Sequence, residues 1–271
     1  MAEFYTNMST LPIIDNRLSL TTSPYRPTHI ENLRMTTLHL SDFDAITFDV
    51  YGTLIDWEPS IAAFLLDWAA GHGISADAGT LVMAFDGARA RIQKERPAHL
   101  YPEVLNRCFD EICAHFGVLP DAERRRQFSL SPHTWPAFPD SHDGLVRLQQ
   151  SVRIGALSNI DVASLESSCR ILDVRFDVVV TAQRVGAYKP DWPHFDTGIG
   201  DLARLGVPRE RILHVGQSLR ADITPANKLG LRSVWINRPD RLLGLSGEGA
   251  AEARPDLTVS SLAELVDMLT R

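Results

Sequence analysis

The chain reads as an α/β protein whose parallel-sheet core is interrupted by an all-helical insertion. Three observations predict this. An apolar, β-branched run, Ala45-Ile-Thr-Phe-Asp-Val-Tyr-Gly-Thr-Leu54, delivers a carboxylate, Asp49, and then turns at Gly52, as a buried parallel strand does at its C-terminal end. Between residues 60 and 135 the spacing is helical and nothing reads as a strand. From Ser141 onward strand and helix patterns alternate, which implies right-handed crossovers and a parallel sheet.

The elements follow in order. Residues 1–34 are rich in Ser, Thr, Asn and Pro without periodicity and are expected to be a flexible N-terminal extension, with Met35 a candidate natural start. The α/β core is expected over 42–56 and 136–271, and the helical insertion over 57–135. Asp56-Trp-Glu-Pro-Ser60 is a helix-entry signal leading into a helix over 61–70, with further helices over 76–96 and 101–117. Ser131-Pro-His-Thr-Trp-Pro-Ala-Phe-Pro-Asp140 reads as a hinge. The alternation then runs helix 141–150, strand 153–157, helix 162–171, strand 177–181, helix 193–204, strand 211–215, helix 222–229 and strand 232–236. Residues 239–256 are expected to be a flexible surface segment, followed by an amphipathic helix over 260–269.

Composition narrows the function classes. With 271 residues, 44% of them hydrophobic, the chain can bury one large core and a smaller lobe. A net charge of -7 with interspersed signs argues against a nucleic-acid or membrane-surface partner. Cys108, Cys113 and Cys169 lack disulfide or zinc spacing and read as small core hydrophobes in a reducing cytoplasm. Neither a secretory leader nor an apolar run of membrane-spanning length is visible.

Four strand ends carry polar groups: Asp49 and Thr53; Ser158 and Asn159; Lys189 in Gly-Ala-Tyr-Lys-Pro-Asp; and Gln217, Ser218 and Asp222. Strand ends of one parallel sheet converge on one rim, so these distant residues are expected to form a single site. An acid, hydroxyl and amide donors and a lysine together suit a nucleophilic carboxylate handling an anion.

With these residues in place, the chain resembles the haloacid dehalogenase superfamily, and within it the type II 2-haloacid dehalogenases. FDVYGTL is similar to the family's first motif, ALSN to its second, YKPD to its third and HVGQSLRADI to its fourth, over about residues 42–271. The resemblance implies a Rossmann-like core, a mobile helical cap and a covalent ester on Asp49. It casts Thr53, Lys189 and Asp222 beside the nucleophile, with Ser158 and Asn159 binding the substrate carboxylate or the aspartyl oxygens. It also implies a cap arginine for the carboxylate or halide, for which Arg91 matches the local pattern better than Arg89 or Arg96, and it makes Trp57 an apolar wall.

The superfamily also contains phosphatases, and two positions discriminate. Its phosphatases carry an acid two residues after the nucleophile to protonate the leaving alkoxide; here that residue is Tyr51, a phenol of ordinary pKa about 10 and a poor acid at neutral pH. Their Mg²⁺ site takes an acid where this chain has Gln217, and a neutral amide weakens a hard-cation site. The expected activity is therefore hydrolysis of a small 2-haloacid of S configuration to a 2-hydroxy acid, without a metal or other cofactor. The partner is a small carboxylic acid, and a homodimer is compatible with the Trp and Leu residues of the cap helices. Leu219 and Phe195 depart from the dehalogenase pattern, which has Asn and Tyr there; Gln217 or Ser218 is left to position the hydrolytic water. The rivals are a Mg²⁺-dependent small-metabolite phosphatase and a non-catalytic anion-binding homologue.

Overall fold

A computed structural model of the protein describes residues 38–244 and 249–271. The extension expected over 1–34 and Met35 lie outside the described residues. Strand β1 (Ala45–Phe48) is wholly buried and is followed by helices α1 (Glu58–Gly71), α2 (Ala78–Ile92), α3 (Tyr101–His115) and α4 (Ala122–Leu130) before the chain returns through α5 (Ser141–Gln149) to the sheet. Next come β2 (Arg153–Ser158), α6 (Val162–Leu172), β3 (Val178–Thr181), α7 (Ala182–Val185), α8 (Pro193–Arg204) and β4 (Ile212–Gly216). The chain closes with a π-helical turn (Leu219–Ile223), α9 (Thr224–Lys228), β5 (Arg232–Ile236), β6 (Leu257–Val259) and α10 (Leu262–Leu269).

All strand pairs are parallel, in the order β3-β2-β1-β4-β5-β6. The order reverses between β1 and β4, and the crevice beyond the strand ends at such a reversal is where open α/β sheets bind ligands. One apolar cluster on the first face of the sheet runs from Phe48, Leu213 and Val215 into Trp57, Phe85, Phe109 and Trp135 of the insertion. The other face packs Leu157, Val180, Phe195 and Leu202.

The structure departs from the sequence reading in several places, among them the short helix α7 (Ala182–Val185), which was not expected. Helix α4 was not expected, because its sequence AERRRQFSL is largely charged and puts Phe128 and Ser129 alone into the interior. Strand β6 has three residues, too few for a period-2 signal. The segment read as a hinge is paired with the connector after β1, which was not expected: Asp56 N–H donates to the Pro136 carbonyl (2.7 Å), Phe138 N–H to that of Leu54 (3.0 Å), and Ile55 pairs with Ala137 as an antiparallel bridge. Within 239–256, expected to be loose surface, Leu243 is buried and the amides of Leu242 and Leu243 donate to the buried Glu58 carboxylate (3.0 and 3.2 Å); residues 245–248 lie outside the described residues. Cys108 and Cys113 are buried core residues. Among the described residues no helix is long and apolar enough to cross a membrane.

Arg238, just past β5, is a buried cross-brace. Its guanidinium donates to both oxygens of Asp140 (2.9 Å each) and to the Thr53 carbonyl (2.8 Å), and it lies 4.0 Å from the Phe138 ring centroid. Asp140 also accepts from the Leu262 amide that starts α10 (2.7 Å). Breaking a buried pair while leaving one charge behind costs about 3 kcal/mol or more. Arg238→Met is expected to lose about that much stability, read as a lowered urea midpoint at unchanged m-value; an unshifted midpoint would show that the brace contributes nothing net.

Candidate active site

β1 ends one residue before Asp49, whose N–H extends the ladder by donating to the Val215 carbonyl of β4 (2.9 Å). The following turn folds back through Gly52, at φ 95°, a backbone conformation that favours glycine, and brings Thr53 beneath the carboxylate. Thr53 Oγ1 donates to Asp49 Oδ2 (2.8 Å) and accepts from the Gln217 N–H (3.0 Å), joining the loops after β1 and β4.

Lys189 is 2% exposed, and its ammonium donates to Asp49 Oδ1 (3.0 Å), to Asp222 Oδ1 (2.6 Å) and to the Leu157 carbonyl (2.7 Å). All three N–H bonds are used, which is what a buried ammonium requires. Asn159 fixes the lysine's backbone, its Oδ1 accepting from the Lys189 N–H (2.6 Å) and its Nδ2 donating to the Lys189 carbonyl (3.1 Å). Asp222 sits in the π-helical turn, a device common at functional sites, and its second oxygen accepts from the Ser218 N–H (3.1 Å).

The two carboxylates share one cation unequally. Burial raises the Asp49 carboxyl to about 6 against the opposing pull of Lys189, with Asp222 adding to the rise. Burial works on Asp222 in the same direction, but the closer Lys189 and the His214 ring outweigh it and hold that carboxyl below its usual range. Burial lowers the Lys189 ammonium, yet Asp222 and Asp49 together more than reverse this and keep it charged.

Asp49 opens onto a cleft of about 70 Å³, room for about five water-sized groups at 10–15 Å³ each. Of the expected site residues, Asp49, Tyr51, Trp57, Asn159, Lys189, Gln217, Ser218 and Asp222 line it. Thr53 and Ser158 are fully buried behind the wall: Thr53 reaches the cleft through Asp49, while the Ser158 hydroxyl has no hydrogen-bond partner and is not brought to the substrate space. Arg91 also lies elsewhere, with its side chain 67% exposed and paired with Glu111. Of the arginines on α2, Arg89 lines the cleft, stacked 5.5 Å from the Trp57 ring centroid, bonded to Asp86, and with a buried Nε that has no partner. Positions two apart on a helix face nearly opposite sides. Arg89 is four residues past the buried Phe85 and so shares its face, and that periodicity could have singled it out.

Tyr101, Arg220, Leu243 and Gly244 also line the cleft and were not expected there; Gly244 lies in a stretch that carries no motif. Gln217 is held between two glycines. A Cβ at Gly52 would lie 2.6 Å from its Nε2, and one at Gly244, at φ 97°, would fall on its Oε1. Tyr51 points its hydroxyl away from Asp49's partners to Ser168 Oγ (2.7 Å), and burial pushes its phenol far above the ordinary range. Beneath the site His214, buried in β4, pairs Nδ1 with Thr47 Oγ1 (2.9 Å) and places Nε2 3.7 Å from Asp222 Oδ1. Phe195 packs edge-on against the His214 ring, with centroids 4.9 Å apart.

The donor set offers a divalent cation two carboxylates and a neutral amide. Asp49 and Asp222 are the acids among the described residues lining the cleft; each of their four oxygens accepts from Lys189, Thr53 or the Ser218 amide, which leaves one lone pair on each for a cation. Gln217 adds a neutral amide where Mg²⁺ would favour a carboxylate. Among the described residues no group of three or more His, Cys, Asp or Glu is arranged to hold a metal.

A buried lysine between two aspartates at the reversal point of a parallel sheet, beneath inserted helices, defines a Rossmann-like α/β protein with a charged cleft. The chain belongs to the haloacid dehalogenase-like hydrolases, whose family model matches residues 43–230. A haloacid dehalogenase-like hydrolase domain-containing protein 3 of Danio rerio is 30% identical over 112 residues, 40% of this chain and 45% of that protein. A glyceraldehyde 3-phosphate phosphatase of Methanocaldococcus jannaschii is 35% identical over 94 residues, 35% of this chain and 38% of that protein. This chain therefore matches less than half the length of these two relatives. A pyrimidine 5'-nucleotidase of Streptococcus pneumoniae is 27% identical over 176 residues, 62% of this chain and 70% of the nucleotidase. Among solved structures, a defluorinating L-2-haloacid dehalogenase superposes with a TM-score of 0.69 at 21% identity, covering 84% of this chain and 95% of the other. The L-2-haloacid dehalogenase of Xanthobacter autotrophicus gives 0.69 at 18% identity, with 84% and 98% covered. At such identities the likeness speaks for the fold.

If ionised Asp49 is the attacking group, acid must silence it. Its carboxyl titrates above the ordinary value, at about 6, so the reactive fraction falls about tenfold per pH unit below that point and is constant above it. A kcat/KM profile should bend near pH 6; a flat profile down to about pH 4.5, nearer an ordinary carboxyl, would exclude Asp49 as the titrating nucleophile.

Proposed function

We propose that the protein is a hydrolytic dehalogenase of small 2-haloacids that works through an ester on Asp49 without a metal. The observation that carries this reading is the absence, among the described residues lining the cleft, of a proton donor matched to neutral pH other than Asp49, which the attack itself occupies. Tyr51 and Tyr101 are held well above the ordinary phenol range, mainly by burial, and the Lys189 ammonium is held charged by its two carboxylates. An alkoxide leaving from phosphorus needs a proton. A halide leaving from carbon does not.

In the first step Asp49 attacks the α-carbon from the side opposite the halogen, forming a C–O bond as the carbon–halogen bond breaks and halide departs with the electron pair. Arg89 receives the substrate carboxylate, and Trp57, Tyr101 and Leu243 exclude water from the reacting carbon. Lys189 holds the nucleophile's orientation through Oδ1 and Thr53 through Oδ2. In the second step water attacks the carboxyl carbon of the ester. One of its protons ends on the released 2-hydroxy acid, the other in solution, and Asp49 is regenerated. Gln217, locked between Gly52 and Gly244, orients that water.

A second reading has a specific support. The pyrimidine 5'-nucleotidase that matches most of its own length acts on a phosphate ester, so a Mg²⁺-dependent phosphatase is the alternative. Halide release from 2-bromopropionate is expected to be unaffected by EDTA and abolished in Asp49→Asn. A single turnover in ¹⁸O-water should label Asp49 and leave the product unlabelled. Phosphate release that needs Mg²⁺, without halide release from any C2 to C4 haloacid, would replace this reading with the alternative.

Gly244→Ala should displace the Gln217 amide and slow hydrolysis of the ester more than its formation. The expected result is a burst of about one equivalent of bromide, with the alkylated Asp49 peptide accumulating in the mass spectrum; equal slowing of both steps would remove Gln217 from the water-positioning role.

A further inference from the structure

Two of the inserted helices each bring a hydrogen-bond donor to the cleft. An arginine serves a carboxylate best with two nitrogens of its fork, but Arg89 on α2 has little of its fork to give. Its Nη2 donates to Asp86 and its Nε is walled in, so Nη1, which bonds to no group among the described residues, is what remains for a ligand. Tyr101, the first residue of α3, lines the same cleft and is 6% exposed. Two other tyrosines of this region have their hydroxyls tied, Tyr51 to Ser168 Oγ (2.7 Å) and Tyr188 to the His99 carbonyl (2.8 Å). The Tyr101 hydroxyl has no such partner among the described residues, and it is not sealed off as the Arg89 Nε is. A tyrosine so well covered ordinarily gives its hydroxyl an acceptor. Burial raises its phenol against the opposing pull of Arg89, so the group stays neutral and can only donate toward an anion.

We propose that Tyr101 is a specificity-determining residue, its hydroxyl donating to one oxygen of the substrate carboxylate while Arg89 Nη1 donates to the other. The assignment rests on the haloacid reading for the identity of the reacting end. A cleft of about 70 Å³ holds one small acid, so donors on different helices of its wall meet the same molecule. Two donors from α2 and α3 suit the two oxygens of a carboxylate. A halide is a single atom that draws on the guanidinium's charge, so the hydroxyl is what tells the acid from the halide.

Unreactive ligands separate this claim from the chemistry. Titration calorimetry on the full chain would compare propionate and bromide binding in the wild type and in Tyr101→Phe, which keeps the ring and removes the hydroxyl. Because that hydroxyl bonds to nothing in the fold, Tm should not change; a lowered Tm would give it a structural task and overturn the proposal. Propionate is expected to weaken about tenfold, as loss of a hydrogen bond to a charged group does, with bromide affinity unchanged. With 2-bromopropionate the loss should appear in KM rather than kcat, the mark of an interaction made equally by bound substrate and transition state. Absence of propionate binding by the wild type, unchanged propionate affinity in the variant, or equal weakening of propionate and bromide overturns the proposal. Bromide release from 2-bromopropionate with propionate affinity unchanged in the variant refutes the role of Tyr101 and leaves the haloacid reading standing. Weakened propionate in the variant without bromide release by the wild type refutes the haloacid reading and supports the carboxylate receptor.

Discussion

One ammonium, Lys189, makes the interior of this protein possible. Two carboxylates and a lysine lie out of water at the end of β1. Without the lysine, Asp49 and Asp222 would face each other across a few ångströms of low-dielectric protein and one would protonate. With it, charge is conserved but not shared evenly. Asp222 lies closer and has the added help of the Ser218 amide, so it is the permanent counter-ion, while Asp49 is left as the more basic of the two. Asn159 holding both the N–H and the carbonyl of Lys189, and the packing of Asp222 against Gly216, where a Cβ would lie 2.5 Å from it, are what that single cation demands of its surroundings.

Much of this was legible in the sequence because strand ends are local features. The run ending in Asp49 and the patterns at 153–157, 177–181, 211–215 and 232–236 specify five of six strands, and a parallel sheet brings their ends together without further information. Asp49, Lys189 and Asp222 therefore met as expected. What was not legible depends on which way a helix face turns or on contacts between distant loops. Arg89 rather than Arg91 lines the cleft because of a rotation of about 200° over two residues. Gly244 covers Gln217 because Glu58, near the start of the insertion, accepts from the Leu242 and Leu243 amides, an arrangement that no composition or periodicity announces. Helix α4 and strand β6 were missed because one carries too little apolar patterning and the other too few residues.

The fold is shared with haloacid dehalogenases at 18% and 21% identity, which speaks for the fold alone, while the sequence relatives include a phosphatase and a nucleotidase. Carbon–halogen and phosphate-ester cleavage both gain from the exclusion of bulk water. They differ in how the leaving group is disposed of and in how negative charge on the electrophile is offset. On the proposed role of Asp49, those differences fall on two side chains beside it in the cleft, Tyr51 and Gln217. In this chain one is tied to α6 through Ser168 and the other is wedged between glycines.

The paired crossing segments at 54–56 and 136–138 have a mechanical consequence. Because the two connectors bond to each other before entering the four-helix lobe, they act as one short strap. Such a strap would resist twisting and stretching more than bending, so any swing of the lobe would pivot there. The Trp57 end, next to that pivot, would travel least during such a swing, whereas the far ends of the helices would travel most. Solvent and ligands would then be exchanged at the rim remote from the strap, while the wall nearest Asp49 keeps its shape.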